Sequence, residues 1–440
     1  MKFAKGDSFT YDGKTVRIEE VLGDGGQGEV YLVDQGGQKL AFKIYKDEVS
    51  SDFRYNLKNN IRKGSPSSNF LWPKEFIEFN DGDCGYLMDL RGKEYASFVS
   101  YLTGKTKFKS KRVMHNWCIE LVQSFKELHE RGYSYQDLND GSFFLNPENG
   151  KILICDNDNV TADKRSLGVL GKMRYMAPEI VRGDKDRFTG DRQMPDVHSD
   201  RFSLAIILFL ALCLGNPFEG ERLKKYVIVD EKAEFEMFGR DPVYIYNEAD
   251  TSNRPIHGYH TAVLRRYPGL PNYIKAAFHK TFVDGLADHE NARVTELEWI
   301  RLLCRYRDEL LTCSCGEEYP FGFFEKKQNL KCPHCHNKTR DFCVLNVGKS
   351  KVLLEPGKYL YKSHIDKYSS EYNVPIGKVI TNKNNPSLWG IKLALDHPIL
   401  IKDRKGVEKE VAPDGVIPIV DGLKVRFDEK LIGEILAYRQ

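Results

Sequence analysis

The stretch LGDGGQGEVYLV, from Leu22 to Val33, decides how the chain begins to fold. Gly23, Gly25 and Gly28 form a G-x-G-x-x-G pattern, which occurs in several phosphate-holding loops and in ordinary hairpins. A Walker-type loop needs Lys and then Ser or Thr directly after its last glycine, but Glu29 and Val30 follow Gly28. A dinucleotide-binding loop opens a helix, yet Val30, Leu32 and the run Leu40 to Ile44 are β-rich and flank a DQGGQ turn. The glycines therefore join two strands of a hairpin, and the next strand, with AFK at its end, delivers Lys43.

Working outward, residues 1 to about 90 are short β-runs between turns. From Val113 to Arg131 the period changes: Met114, Trp117, Cys118, Leu121, Val122, Phe125 and Leu128 recur at three- and four-residue steps, the stripe of an amphipathic helix. YSYQDLNDGSFFLN follows and places Asp137 just after that helix; ILICDNDNV places Asp156 at the end of a hydrophobic strand. NPENG turns the hairpin between them, which would return both aspartates to one edge. Further on come GKMRYMAPE (Gly171 to Glu179) and HSDRFSLAIILFLALCLGNPF (His198 to Phe218), and the chain reads as mainly helical to about Leu311.

These segments, in this order, resemble a eukaryotic-like Ser/Thr protein kinase domain of a bacterial type over residues 1 to about 310. The fold expected is multidomain α+β: a bilobal protein-kinase fold with an N-lobe over 1–90 and a C-lobe over 91–310, a small zinc ribbon over 311–343 and an all-β sandwich over 344–440. By the resemblance, Gly23, Gly25 and Gly28 would cover the phosphates of ATP, and Val30 would pack on the adenine. Lys43 would neutralise phosphate charge, and main-chain groups at Met88, Asp89 and Leu90 would meet the adenine edge. Asp156, with Ser142 at the place of the family's Asn, would hold Mg²⁺ or Mn²⁺, and Asp137 would accept the hydrogen bond of a protein hydroxyl. Asp200 would brace the catalytic loop, and Glu179 would pair with Arg293.

The departures from the family pattern set a second reading beside the first. H-R-D reads Tyr135-Gln136-Asp137; without the Arg, phosphorylation of Thr161 or Ser166 is not the expected on-switch. A hydroxyl at Ser142 is a poorer metal ligand than an amide oxygen. D-F-G reads Asp156-Asn157-Asp158, where Asp158 is a turn residue or, less favoured, a spare carboxylate for metal. No Glu occurs between Val49 and Lys74, where the family's helical partner for the strand lysine would lie, and Asn56 is assigned no role there. Lys43 is then positioned another way in an active kinase, or the chain is a pseudokinase, a nucleotide-binding scaffold without phosphotransfer.

Cys313-Ser-Cys315 and Cys332-Pro-His-Cys335 supply four thiolates on two turns, a pattern suited to structural Zn²⁺ with no open position; His334 and His336 read as exposed loop residues. After Val344, short strands alternate with EPG, DRKG, PDG and VDG turns, which suggests a small sandwich. That segment resembles a forkhead-associated domain, but Gly377 is followed by Lys378 rather than Arg, and a docking role is expected instead of phosphothreonine reading. This combination of modules is similar to bacterial kinases that act beside a metal-dependent phosphatase and a von Willebrand-type partner.

Composition narrows the remaining classes. The 440 residues carry 66 basic and 63 acidic side chains, a net charge of +3, so no nucleic-acid or anionic-membrane partner is expected. The most apolar run, Leu204 to Leu214, is too short to span a bilayer. MKFAKGDSF has no apolar signal core, and the clustered thiols suit a reducing compartment, so a cytoplasmic location is expected.

Overall fold

In the computed structural model of the chain, residues 2–168, 171–185, 189–323, 330–366 and 368–440 are described. They form two compact units: one holds residues up to 109 with 120–265 and 277–297, the other holds 110–119, 266–276 and 298–440.

The first unit opens with six antiparallel strands: β1 (Ser8–Tyr11), β2 (Lys14–Asp24), β3 (Gly28–Gln35), β4 (Gln38–Tyr45), β5 (Glu75–Glu78) and β6 (Cys84–Asp89), in the spatial order β1-β2-β3-β4-β6-β5. Side chains alternate across a strand, and β4 shows what this decides. Leu40, Phe42 and Ile44 enter one apolar cluster with Val16, Tyr31 and Leu87. Ala41 and Tyr45 enter the other, with Tyr86, Met88 and the helix residues Phe53 and Leu57. Lys43 shares the parity of Ala41 and Tyr45, so the register that buries Phe42 also carries the lysine to the helix side of the sheet.

That helix, α1 (Ser51–Lys63), begins where the Ser50 hydroxyl accepts the Phe53 N–H and ends at Gly64, with φ of 77°. Its buried stripe is Phe53, Asn56, Leu57 and Asn60, the i, i+3, i+4, i+7 face of an amphipathic helix. Two of those four positions are polar, so this face is built for hydrogen bonding as well as packing.

Further along the unit, a short hairpin of Phe143–Leu145 and Ile152–Ile154 lies between the two candidate aspartates. The helix Val197–Cys213 is buried nearly all round and is capped by a reciprocal pair of hydrogen bonds between Asp196 and Ser199. Its uniform apolarity marks a core helix; among the described residues no helix is long and apolar enough to cross a membrane.

The second unit contains a hairpin, Leu310–Thr312 with Glu318–Pro320, and two antiparallel sheets. Six strands run in the spatial order Ser350–Leu354, Phe342–Val347, Ile432–Tyr438, Lys424–Arg426, Ile399–Lys402 and Glu408–Val411; four run Tyr359–Tyr361, Pro375–Thr381, Trp389–Leu393 and Val416–Pro418. Residues of both sheets, among them Leu345, Val352, Val379, Ile391, Ile417 and Val425, share one apolar core. Arg307, fully buried, ties the preceding helix to these sheets: it pairs with Asp308 at 2.9 Å, donates to Asn373 at 2.6 Å and stacks 3.8 Å over the Tyr361 ring. A buried guanidinium needs this many partners to offset its desolvation. Leu311, Tyr319, Phe321 and Cys332 pack with Phe342, Val344 and Leu353, so the hairpin and the sheets have a common core.

Candidate active site

The glycine loop has two kinds of glycine. A Cβ at Gly28 would meet the Ile44 carbonyl at 2.3 Å, so the close passage of β3 and β4 demands glycine there. At Gly23 a Cβ would meet nothing, and at Gly25 only the Gly28 carbonyl at 3.6 Å. Those two leave the face of the loop bare, which lets a ligand approach its backbone. The loop is held at its base by Lys46, which donates to the Gly25 carbonyl at 2.7 Å and pairs with Asp24. Half-buried Val30, Leu90, Phe144 and Leu153 pack against the apolar cluster that contains Ala41 and Met88. Asp89, which follows Met88, is exposed at the end of β6.

Lys43 is the centre of the site. Its side chain is 6 % exposed, and its ammonium lies 2.8 Å from Asp158 Oδ2 and 3.6 Å from Asp156 Oδ1. Burial by itself would lower the Lys43 pKa; the charges of Asp158 and Asp156 outweigh it and hold the pKa above its ordinary value. The partner absent from α1 is therefore supplied by the D-N-D turn. Asp158 does occupy a 3₁₀ turn, Asn157–Asn159, as a turn residue should, and its side chain is also fully buried against the lysine. Tyr45 donates to the same carboxylate oxygen at 2.7 Å. Asn56 and Asn60 of α1 both donate to the Val160 carbonyl, at 2.8 and 2.7 Å, so the helix grips the backbone of that turn instead of the lysine. Asn157 completes the attachment through bonds of 2.9 Å to the carbonyls of Leu71 and Ile154.

Asp156 itself has φ of 56°, a left-handed conformation that is costly for a residue with a Cβ, and its side chain is 46 % exposed. Strain of this kind persists where the surroundings over-determine it, and here both following residues are pinned. Asp158 Oδ1 is buried without a hydrogen-bond partner among the described residues. Two carboxylates against one ammonium leave a local negative charge, and this donor set fits a divalent cation held by Asp156. Ser142 is fully buried, with its hydroxyl 3.4 Å from the Asp137 carbonyl.

The loop around Asp137 is set by Asp200, whose carboxylate accepts the N–H groups of Tyr135 at 2.6 Å and Gln136 at 3.1 Å. His129 bridges Asp200 and Glu296; burial would lower its pKa, but hydrogen bonds to the two carboxylates raise it to about 9. Burial is the largest influence on Asp137, whose pKa is raised to about 6; the charges of Asp156 and Asp158 act the same way, while the Asn139 amide and Lys172 oppose them. The three acids are thus electrostatically one site. Gln136, in the position of the missing Arg, bonds directly to the Thr161 hydroxyl and the Arg165 carbonyl. Thr161 is fully buried, and its hydroxyl donates to the Arg165 carbonyl at 2.8 Å. Glu179 and Arg293 form a buried bidentate pair at 2.7 and 2.8 Å.

Sequence reasoning missed three contributors: Asp158 as the partner of the lysine, Asn60 beside Asn56, and Tyr45. The available signal was electrostatic. A lysine in a buried strand requires an acid, the one acid of α1 is Asp52, exposed in its first turn, and Asp158 is the spare carboxylate nearest to the expected metal ligand.

In the second unit, the sulfurs of Cys313, Cys315, Cys332 and Cys335 lie within 4.8 Å of one another, with Cys313–Cys335 at 3.6 Å and Cys315–Cys332 at 3.8 Å. Four thiolates at about 2.3 Å from one tetrahedral ion would be about 3.8 Å apart, so the donor set fits zinc. The two turns that present them close through Gly316 N–H to the Cys313 carbonyl and His336 N–H to the Cys332 carbonyl. His334 and His336 are exposed.

The protein kinase domain family matches residues 16–257. Ribosomal protein S6 kinase alpha-2 of Homo sapiens is 26% identical over 258 residues, 56% of this chain and 33% of that protein. Ribosomal protein S6 kinase 2 alpha of Xenopus laevis is 24% identical over 249 residues, 54% of this chain and 32% of that protein. The matched region spans about a third of the length of these curated relatives.

Two outcomes follow from the buried groups. Asp158→Asn, which keeps the shape and removes the charge, leaves Lys43 facing a neutral amide and lowers stability by about 3 kcal/mol in urea unfolding; a loss no larger than that of a surface substitution would contradict the assigned pairing. Metal analysis of the purified chain gives about one zinc per chain. The double variant Cys315→Ser, Cys335→Ser loses the zinc and melts at lower temperature, while His334→Ala keeps it.

Proposed function

The chain belongs to the protein kinase family, and from that premise we propose that it is a Ser/Thr protein kinase transferring the γ-phosphoryl group of ATP to hydroxyls of protein substrates. The observation that carries this reading is the junction of Lys43 with Asp156 and Asp158, in electrostatic contact with Asp137. A cation for the phosphates, a carboxylate for metal and a base for the hydroxyl are the charged groups that phosphoryl transfer requires.

In this reading the adenine occupies the slot between Val30, Ala41, Met88 and Leu90, with its edge on main-chain groups from Met88 to Leu90. The bare backbone at Gly23 and Gly25 covers the phosphates, and Lys43 turns part of its charge from Asp156 to them. Asp156, with Ser142 nearby, would hold magnesium, which would supply neutralisation of phosphate charge. Asp137 accepts the hydroxyl proton as the substrate oxygen bonds to the γ-phosphorus; the bond from that phosphorus to the β–γ bridging oxygen breaks, and ADP leaves with the electron pair.

A pseudokinase reading has one observation in its favour: Ser142 is fully buried and its hydroxyl is turned to the Asp137 carbonyl, which weakens a second metal site. The cysteine module and the C-terminal sheets serve partner docking in either case. Lys378 lies over the Tyr359 ring at 5.5 Å, which argues for docking of unmodified surfaces over phosphothreonine reading by a forkhead-associated-like site. By the bacterial resemblance the partners are a metal-dependent phosphatase and a von Willebrand-type protein, and the free thiols favour the cytoplasm.

Phosphate transfer from labelled ATP to casein decides between the two readings. The wild type transfers, and Asp137→Asn and Lys43→Ala do not; a wild type that gains thermal stability with ATP and magnesium yet transfers nothing is a scaffold. Asp137 works as the ionised base and its pKa is raised to about 6. Activity as kcat/KM is therefore level above neutral pH and falls about tenfold per unit as pH drops below that value, as a pH–rate profile will show.

A further inference from the structure

The transferring phosphoryl group carries charge on three equatorial oxygens, and catalysis depends on fixed positive charge beside them. Lys43 is committed to Asp156 and Asp158 on one side. The catalytic loop on the other side, Asp137-Leu138-Asn139-Asp140-Gly141-Ser142, contains no cation. One arrives from a different segment. Lys172 Nζ lies 3.3 Å from Asn139 Oδ1 and 3.4 Å from Asp140 Oδ1, and the Asn139 amide donates to Asp137 Oδ1 at 3.2 Å. Its neighbour Gly171 passes so close that a Cβ there would lie 3.2 Å from Asp137 Oδ1. The lysine is thus delivered to the catalytic carboxylate by a backbone that only glycine allows to approach freely.

Resting on the kinase reading, we propose that Lys172 is a catalytic residue that contacts the transferring phosphoryl group and supplies the positive charge the catalytic loop lacks. Its side chain is 59 % exposed and its ion pair with Asp140 is a surface contact, a weak attachment that a phosphate dianion can displace. Lys172 keeps its proton throughout; the hydroxyl proton still goes to Asp137, and the bond made and the bond broken are those of the transfer itself. The charge of Lys172 also opposes the upward pressure on the Asp137 pKa, which places the ammonium within electrostatic reach of the reacting oxygen.

The test is steady-state phosphorylation of casein by the full chain with ATP and magnesium, comparing wild type, Lys172→Met, Lys172→Arg and Lys109→Met. Lys172→Met is expected to lose about 100-fold in kcat with KM for ATP within about twofold of wild type, and Lys172→Arg to recover most of the loss. Lys109→Met removes a surface lysine whose ion pair with Glu148 is equally exposed and which touches none of these residues, so it keeps kcat near wild type. If Lys172→Met matches wild type, or if Lys109→Met reproduces its defect, no specific charge at Lys172 acts on the phosphoryl group and the inference fails while the kinase reading stands. A wild type without transfer overturns both.

Discussion

Lys43 has almost no access to water, and the cost of desolvating its ammonium must be met by anions within a few ångströms. In this chain they come from the D-N-D turn, with Asp158 the nearer and Asp156 the farther. The rest of the site is arranged around that pairing. Because Asp158 sits two residues after Asp156, both carboxylates that face the lysine are held by one short turn, which α1 grips through Asn56 and Asn60 and which Asn157 stitches to Leu71 and Ile154. The lysine's position then depends on the turn, with the helix acting through the backbone at Val160.

The same economy of charge marks the activation segment. A neutral amide, Gln136, reaches the Thr161 hydroxyl and the Arg165 carbonyl, so the segment is tied by direct hydrogen bonds that no added phosphate is needed to create. Asp200 fixes the loop by accepting two successive N–H groups, and the Glu179–Arg293 pair closes the segment's far end inside the core. Every one of these contacts joins residues distant in sequence, which is why a loop of small polar residues can have a defined shape.

The second unit meets a different physical demand. A hairpin as short as Leu310–Pro320 has little apolar surface to bury by itself; its Leu311 and Tyr319 join the core of the adjoining sheet, and its thiols converge on those of the second turn. Zinc held by these four thiols would add apparent binding energy of about 10 to 16 kcal/mol, the range for structural zinc in small modules. In the Arg307 cluster the buried charges share partners: Asp308 pairs with Arg307 at 2.9 Å and with His364 at 2.7 Å.

Local pattern was enough to read much of this protein. The hairpin nature of the glycine loop, the amphipathic helix before Asp137, the apolar central helix and the paired cysteines are written in spacing and side-chain type, because each depends on neighbours within a few residues. The sequence by itself therefore determined which elements form and which charged groups are candidates for the site. Tertiary structure alone decided the pairings: that Asp158 and not a helical glutamate meets Lys43, that Asn56 and Asn60 share the Val160 carbonyl, and that Lys172 arrives beside Asp137. Those contacts span some 30 to over 100 residues of chain, and their strength comes from desolvation and from alignment across the packed interior, neither of which exists until the fold has formed.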